Sequence, residues 1–242
     1  MGDITIELMR ENISGIRAKI KEAAERSGRE PKDVTLIGVS KFQPLESLYM
    51  ALDCGITILG ENRVQEREQK AASWAGKPAE WHMIGHLQRN KSRKALELFD
   101  CVQSVDSFEL ASALDKITAE KAGKDDSGLN TEPFIIMIEV NTSGEESKNG
   151  VSPDGCIVLA EKIINECPNL KVDGLMTIGP LAAVSETRRS FALLRSLALD
   201  IRAKLGVGLR HLSMGMSGDF EAAIEEGSTM VRIGTGIFGA RR

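Results

Sequence analysis

Over the first thirty residues Ile4, Leu8, Ile13, Ile16 and Ile20 recur near helical spacing among charged positions. The pattern predicts an amphipathic helix that ends at Ser27-Gly28. Beyond it, short apolar, β-branched runs alternate with longer amphipathic ones. The strand-like runs are VTLIGVSK (34–41), ITILG (56–60), EWHMIG (80–85), CVQSV (101–105), PFIIMIEV (133–140), VDGLMT (172–177), LRHLSM (209–214) and MVRIG (230–234). Between them lie helical patterns: one opened by Gln43-Pro44 and running through Leu52, then 61–74, 90–98 and 107–123. Another starts at Ser152-Pro153-Asp154, with proline at the first helical position, and two more cover 185–205 and 217–227. PFIIMIEV is the strongest strand, and its length and β-branching call for burial on both faces. The polar stretch 124–132 reads as a loop.

Eight strands, each except the last followed by a helix, recur at about thirty residues per unit, and parallel strands joined by right-handed crossovers close into a barrel at this count. The predicted fold is a single (β/α)8 TIM barrel over residues 1–242, with the extra N-terminal helix supplying the outer helix that the last strand lacks. An open doubly wound sheet is the alternative. No repeat, low-complexity tract or interdomain linker interrupts the pattern.

Composition narrows the function. Lys and Arg total 31 against 35 Asp and Glu, a net charge of −4, with 42% hydrophobic and 27% charged residues. These values fit a soluble globular chain and give no nucleic-acid footprint. No apolar run is long enough for a membrane span, and the charged N-terminus is not a signal peptide. Cys54, Cys101, Cys156 and Cys167 form no CxxC pair, so reduced thiols in a cytoplasmic protein are expected rather than disulfides or a zinc site. His82 and His86 stand four apart, but on a strand and its turn with no third ligand. Hydrogen bonding is the expected role there, and His211 reads as a satisfied strand histidine. The basic run NKSRK (90–94) reads as a solvated helix face, and Arg241 and Arg242 as a mobile tail.

In a barrel of this kind chemistry sits just beyond the C-terminal ends of the strands. Lys41 ends the first strand, where partial desolvation favours the neutral amine, a nucleophile able to form a Schiff base. A lysine snorkelling from the barrel mouth fits the same position. The loops SMGMSGD (213–219) and VRIGTGIFG (231–239) follow the seventh and eighth strands, the usual phosphate corner of such barrels. They offer Ser213, Gly215, Ser217 and Gly218, then Gly234, Thr235 and Gly236. Lys41 and this cradle are expected to face each other around the mouth. An aldehyde joined to a phosphate by an aromatic ring fits that pairing, and the compound of that description is pyridoxal 5′-phosphate. Arg232 would point inward and leave the ring nitrogen unprotonated; an arginine salt-bridged at the strand end is the alternative.

Through LIGVSKFQP, GENRVQE, WHMIGHLQRNK, the NTSGEESKNGV loop, GLMTIGP, LSMGMSGDFEAAIEEGSTMVRIG and the closing IFGAR, the chain resembles the pyridoxal phosphate homeostasis proteins. Their barrel is similar to the N-terminal domain of alanine racemase. The resemblance implies that Lys41 is the Schiff-base lysine, that Ser217, Gly234 and Thr235 hold the phosphate, and that Arg232 faces the pyridine nitrogen. It places Asn62 and Met214 along the pocket and hints at a second contact or hand-off at Lys148. It further implies a cofactor carrier or regulator without established turnover, working as a monomer, with enzymes lacking their cofactor as recipients. The alternative is a low-activity amino-acid racemase. Such a racemase needs a second acid/base tyrosine and a covering domain, whereas the single tyrosine here, Tyr49, falls in the first barrel helix, and the chain stops with the eighth strand. A phosphate-binding barrel enzyme without the cofactor is a third class.

Overall fold

The computed structural model describes residues 4–122, 132–180 and 182–239. The expected loop at 124–132, apart from Glu132, and the terminal arginines lie outside these residues. The first helix, α1 (Ile6–Arg26), is capped by Thr5, whose hydroxyl accepts from the Leu8 N–H at 3.3 Å. Its buried face is Met9, Ile13, Ile16, Ile20, Ala23 and Ala24. Leu8, expected in that stripe, is 49% exposed, and Met9 takes the inward place.

Eight parallel strands then close into a barrel, each bonded to the next and the last to the first. They are β1 (Thr35–Val39), β2 (Ile58–Glu61), β3 (Glu80–Met83), β4 (Cys101–Val105), β5 (Phe134–Glu139), β6 (Leu170–Met176), β7 (His211–Ser213) and β8 (Met230–Ile233). The outer helices are α2 (Leu45–Asp53), α3 (Val64–Ala71), α4 (Ser92–Leu98), α5 (Phe108–Ala122), α6 (Pro153–Glu166), α7 (Val184–Leu205) and α8 (Phe220–Glu225). The closed ring excludes the open-sheet alternative. The N-terminal helix packs on α2 and α8, where an eighth outer helix is needed. It also packs on a short helix absent from the sequence pattern, α9 (Thr235–Phe238), with Asn12 Nδ2 donating to the Ile237 carbonyl at 3.1 Å.

Alternation along the strands separates two cores. Even positions of β5, Ile136 and Ile138, pack with Leu59, Val102, Leu175 and the helix faces outside the ring. Odd positions point inward, where Ile37, Ile58, Cys101, Met137, Met176 and Met230 form a smaller apolar cluster with Ile135. The strong strand is thus buried on both faces, as expected. Inside the barrel, however, the filling is only partly apolar: His82, Gln103, Glu139, Ser213 and Arg232 are buried with it.

Strand limits set what reaches the mouth. β1 stops at Val39, so Ser40 and Lys41 belong to the turn rather than the strand, and Phe42 follows with φ +62°. Ser213 ends β7, inside the expected strand 209–214, and does not belong to the following loop with which it was also grouped. Gly215 in that loop adopts φ +96°, and a Cβ there would stand 2.6 Å from Ala223 Cβ and 2.9 Å from Phe220 Cα. The chain therefore turns against α8 only because the side chain is missing. Gly215→Ala is expected to cost about 1–3 kcal/mol of stability from backbone strain alone. Gly218→Ala, with no atom within 4 Å of its Cβ, is expected to be nearly neutral. Urea denaturation midpoints of the two variants check the contrast.

Candidate functional site

The turn carrying Lys41 is clamped by α3. Lys70 donates to the carbonyl of Ser40 at 2.7 Å, and the Phe42 N–H donates to Glu66 Oε2 at 3.1 Å, so the residues on both sides of Lys41 are tied to one helix. Lys70 also pairs with Glu61 at the end of β2, and the Ser40 hydroxyl donates to the same Glu61 oxygen at 2.7 Å. Burial pushes the Glu61 carboxyl above the usual range, while Lys70 and Ser40 oppose that shift. Glu66 and Lys70 lie four apart on α3 and share its inward edge. Neither stood out in the sequence, because their targets are backbone atoms twenty-four and thirty positions away.

Two donors converge on one hydroxyl across the β1–β8 seam. The Thr235 hydroxyl donates to Ser217 Oγ at 3.2 Å, and the Gly236 N–H reaches the same oxygen at 3.4 Å. Asp219 Oδ1 accepts from the Met216 N–H at 2.6 Å and holds the first of these loops in place. Gly234 lies against β1: a Cβ on it would meet Val39 Cβ and the Val39 carbonyl at 3.5 Å. Lys41 and the cradle were expected to face each other, but closure makes β8 the direct neighbour of β1, with Ile37 paired to Arg232. Lysine turn and hydroxyl cradle therefore stand side by side.

Arg232 points into the barrel and is 4% exposed. Its Nη1 donates to Ser213 Oγ and its Nη2 to the Thr177 carbonyl, both at 2.7 Å. Burial pulls its pKa down to about 10, with Glu139 and Asp219 opposing, so it stays cationic at neutral pH. No ion pair accompanies it among the described residues, so the strand-end salt bridge does not form. Glu139, at the end of β5, is 4% exposed and its Oε2 has no hydrogen-bond partner. Burial, reinforced by Asp106 and opposed by Arg232, pushes its pKa up to about 7.

Other expected positions fall differently. Asn62 lies beside Lys41's turn in a cavity of about 910 Å³ that also includes Phe42, Arg63, His86 and Lys91. A Cβ on Gly85 would come within 2.4 Å of the Asn62 carbonyl, which explains the glycine there. Met214 does not line the mouth. It is buried in the outer core, because Ser213 holds the inward position and alternation sends the next side chain out. Lys148 joins two loops, pairing with Glu145 at 2.7 Å and donating to the Gly179 carbonyl at 3.2 Å. His82 is buried and hydrogen-bonded, whereas His86 is partly exposed with Asp106 at 3.4 Å, and no group of metal-ligating side chains occurs among the described residues. His211 sits within 3.8 Å of Asp173.

The Glu139 shift has a testable sign. A carboxyl raised from 4.5 to about 7 by folding favours the folded state while protonated, and that contribution is lost as pH climbs from about 4.5 through 7. Glu139→Gln is expected to match the parent at pH 4.5 and to exceed it by up to ~3 kcal/mol at pH 8. Urea denaturation at the two pH values measures the difference; equal gains at both would remove the buried carboxyl from this role.

Comparison with known proteins adds the family. The family model described as "Alanine racemase, N-terminal domain" matches residues 12–242. A Pseudomonas aeruginosa protein named pyridoxal phosphate homeostasis protein is 44% identical over 232 residues, covering 96% of this chain and 95% of its own. A namesake from Aquifex aeolicus is 42% identical over 233 residues, covering 96% and 98%. Among solved structures, PipY of Synechococcus elongatus with pyridoxal phosphate bound is 31% identical, with a TM-score of 0.79 over 96% of this chain and all of the other. A Clostridium difficile alanine racemase shares the fold at 18% identity and a TM-score of 0.71, with 56% of its length covered. By these likenesses, which run nearly end to end, the chain belongs to the pyridoxal phosphate homeostasis proteins, built on the alanine racemase N-terminal domain.

Proposed function

We propose that this protein binds pyridoxal 5′-phosphate as a Schiff base on Lys41 and serves as a cytoplasmic, monomeric carrier and regulator of the cofactor. The observation that carries the reading is the adjacency just described: a lysine turn held at both flanking residues by α3, beside a cradle of two hydroxyls and an N–H that follow β7 and β8. The residues fit the group. Ser217, Thr235 and the Gly236 N–H match the hydrogen-bonding needs of a phosphate, and Lys41 is the amine next to them. The partnerless Glu139 Oε2 marks a polar floor that is incomplete with protein groups alone.

When bound, the cofactor supplies an electrophilic aldehyde carbon. The protein's part is binding and orientation. Lys41 provides the nucleophile, and the α3 clamp fixes the backbone from which it reaches. Arg232 stays protonated and would disfavour a proton on a ring nitrogen set against it. An arginine in that place would make the ring a weaker electron sink than an aspartate partner would. Lys41 would be the group displaced on release, by an incoming amine or by water, and enzymes lacking the cofactor would be the recipients. Tyr49 offers no second acid/base: its hydroxyl accepts from the Ala75 N–H at 2.6 Å on the outer surface, against Trp74.

The purified protein incubated with pyridoxal phosphate is expected to be yellow, and borohydride reduction is expected to leave a pyridoxyl group on the peptide containing Lys41. Lys41→Ala should lose both band and adduct; retention of either overturns the assignment. Arg232→Ala is expected to weaken retention while the adduct still forms, and unchanged affinity would count against its place in the pocket.

A further inference from the structure

Inside the barrel five side chains form one continuous hydrogen-bonded column. It begins with Glu80, the first residue of β3, at the end of the barrel opposite the loops. Glu80 Oε1 lies 2.7 Å from His82 Nε2, and His82 Nδ1 lies 2.6 Å from Gln103 Nε2 on β4. Gln103 Oε1 accepts from the Ser213 hydroxyl on β7 at 2.6 Å, and Ser213 Oγ accepts from Arg232 Nη1 on β8 at 2.7 Å. His82, Gln103, Ser213 and Arg232 are all buried.

The chemistry of the members allows one direction of donation. A guanidinium only donates, so Ser213 Oγ must accept from Arg232 and spend its single proton on Gln103 Oε1. Gln103 then presents its amide N–H to His82 Nδ1, which must be unprotonated. The imidazole proton is left on Nε2, facing the Glu80 carboxylate. If His82 takes a second proton, Nδ1 becomes a donor and Gln103 has to turn its carbonyl toward it. Ser213 then receives donors from both Gln103 and Arg232, its own proton loses its acceptor, and the hold on Arg232 weakens.

We propose that His82 and Gln103 are positioning residues for the cofactor pocket. Through Ser213 they set the orientation of Arg232, so the protonation state of an imidazole at the far end of the barrel governs how tightly the mouth holds its ligand. The inference rests on the reading of Arg232 as a cofactor contact. Other charged and titratable groups near the column are Cys101 on β4, opposite His82, and His211 on β7, backed by Asp173 and Arg210. Arg232 itself faces Glu139 on β5 and Asp219 in the loop after β7.

The test uses the purified protein with added pyridoxal phosphate, in a His211→Gln, Glu139→Gln background that removes two other titrating groups. His82→Asn keeps an acceptor where Nδ1 stood but cannot be protonated. It is expected to bind within twofold of the background at pH 8 and to lack the background's loss of affinity on acidification. Gln103→Met fills the space without hydrogen bonds, and it is expected to bind roughly tenfold more weakly at pH 8, about the value of one hydrogen bond to a charged group. Nitrogen NMR of the ligand-free protein should report the Nε2–H tautomer at His82. An unaltered pH profile in His82→Asn, unaltered affinity in Gln103→Met, or the Nδ1–H tautomer overturns the proposal. If melting by circular dichroism shows that one variant does not fold, the other variant and the tautomer decide. Borohydride-fixed adduct on Lys41 is measured throughout: its absence from the parent sinks the parent reading, whereas its presence with flat variant profiles sinks only the column.

Discussion

A guanidinium buried inside a parallel barrel is destabilising unless its N–H groups meet acceptors and its charge meets some opposing field. Arg232 imposes this demand, and much of the interior answers it. Ser213 and the Thr177 carbonyl accept its hydrogen bonds. Glu139 supplies opposing charge without forming a bridge, while burial and Asp106 hold its own carboxyl pKa up at about 7. The polar side of the interior, running from β3 through β4 to β7, would be an unfavourable filling if any one member lost its partner. From β1 and β2 and from β5 and β6, Ile37, Ile58, Met137 and Met176 fill the space on either side with flexible or branched apolar groups that ask for no such partners.

The mouth inherits its geometry from this interior and from one outer helix. Parallel pairing puts the ends of β1 and β8 together, and the same register that sets Ile37 beside Arg232 brings Gly234 against Val39. The lysine turn is then a local matter: a residue with φ +62° at Phe42 leaves the chain no regular continuation, and α3 supplies the missing tethers through Glu66 and Lys70. The cost of the strained Phe42 backbone is offset by contacts made by its neighbours, a pattern common where a loop must present one side chain in one direction.

Much of this was legible because period and punctuation are local properties. Eight β-branched runs and the helices between them emerge from spacing alone, as does the outer place of the first helix. Lys41 and the two glycine-rich loops emerge from their position after strands. What escaped depends on parity or on distance. Met214 and Ser213 differ by one residue, so a strand end misplaced by one exchanges pocket for core, and Leu8 and Met9 exchange places on α1 for the same reason. The four residues of α9 are too few to show a period. Gln103 meets Ser213 across 110 positions of chain, and nothing near either residue announces the contact. Glu139 lies inside the apolar run PFIIMIEV and draws no notice there, although parity turns it inward to a buried site where no described protein group bonds its Oε2.

Charge completes the comparison between a barrel that stores a cofactor and one that works on it. The mouth holds Arg232 and the lysine turn on the positive side, with Glu139, Asp106 and Asp219 against them. On the proposed reading, a phosphate held at the exposed Ser217 and Thr235 would add negative charge at this mouth, and like charge disfavours the ionised form of a carboxyl whose pKa burial raises to about 7. Glu139 can answer by taking up a proton, which relieves the repulsion without moving a strand. A site whose charge adjusts through one buried carboxyl accommodates both the loaded and the emptied state at small cost. Under the proposed carrier reading, such an adjustment would suit the reversible holding of a charged ligand.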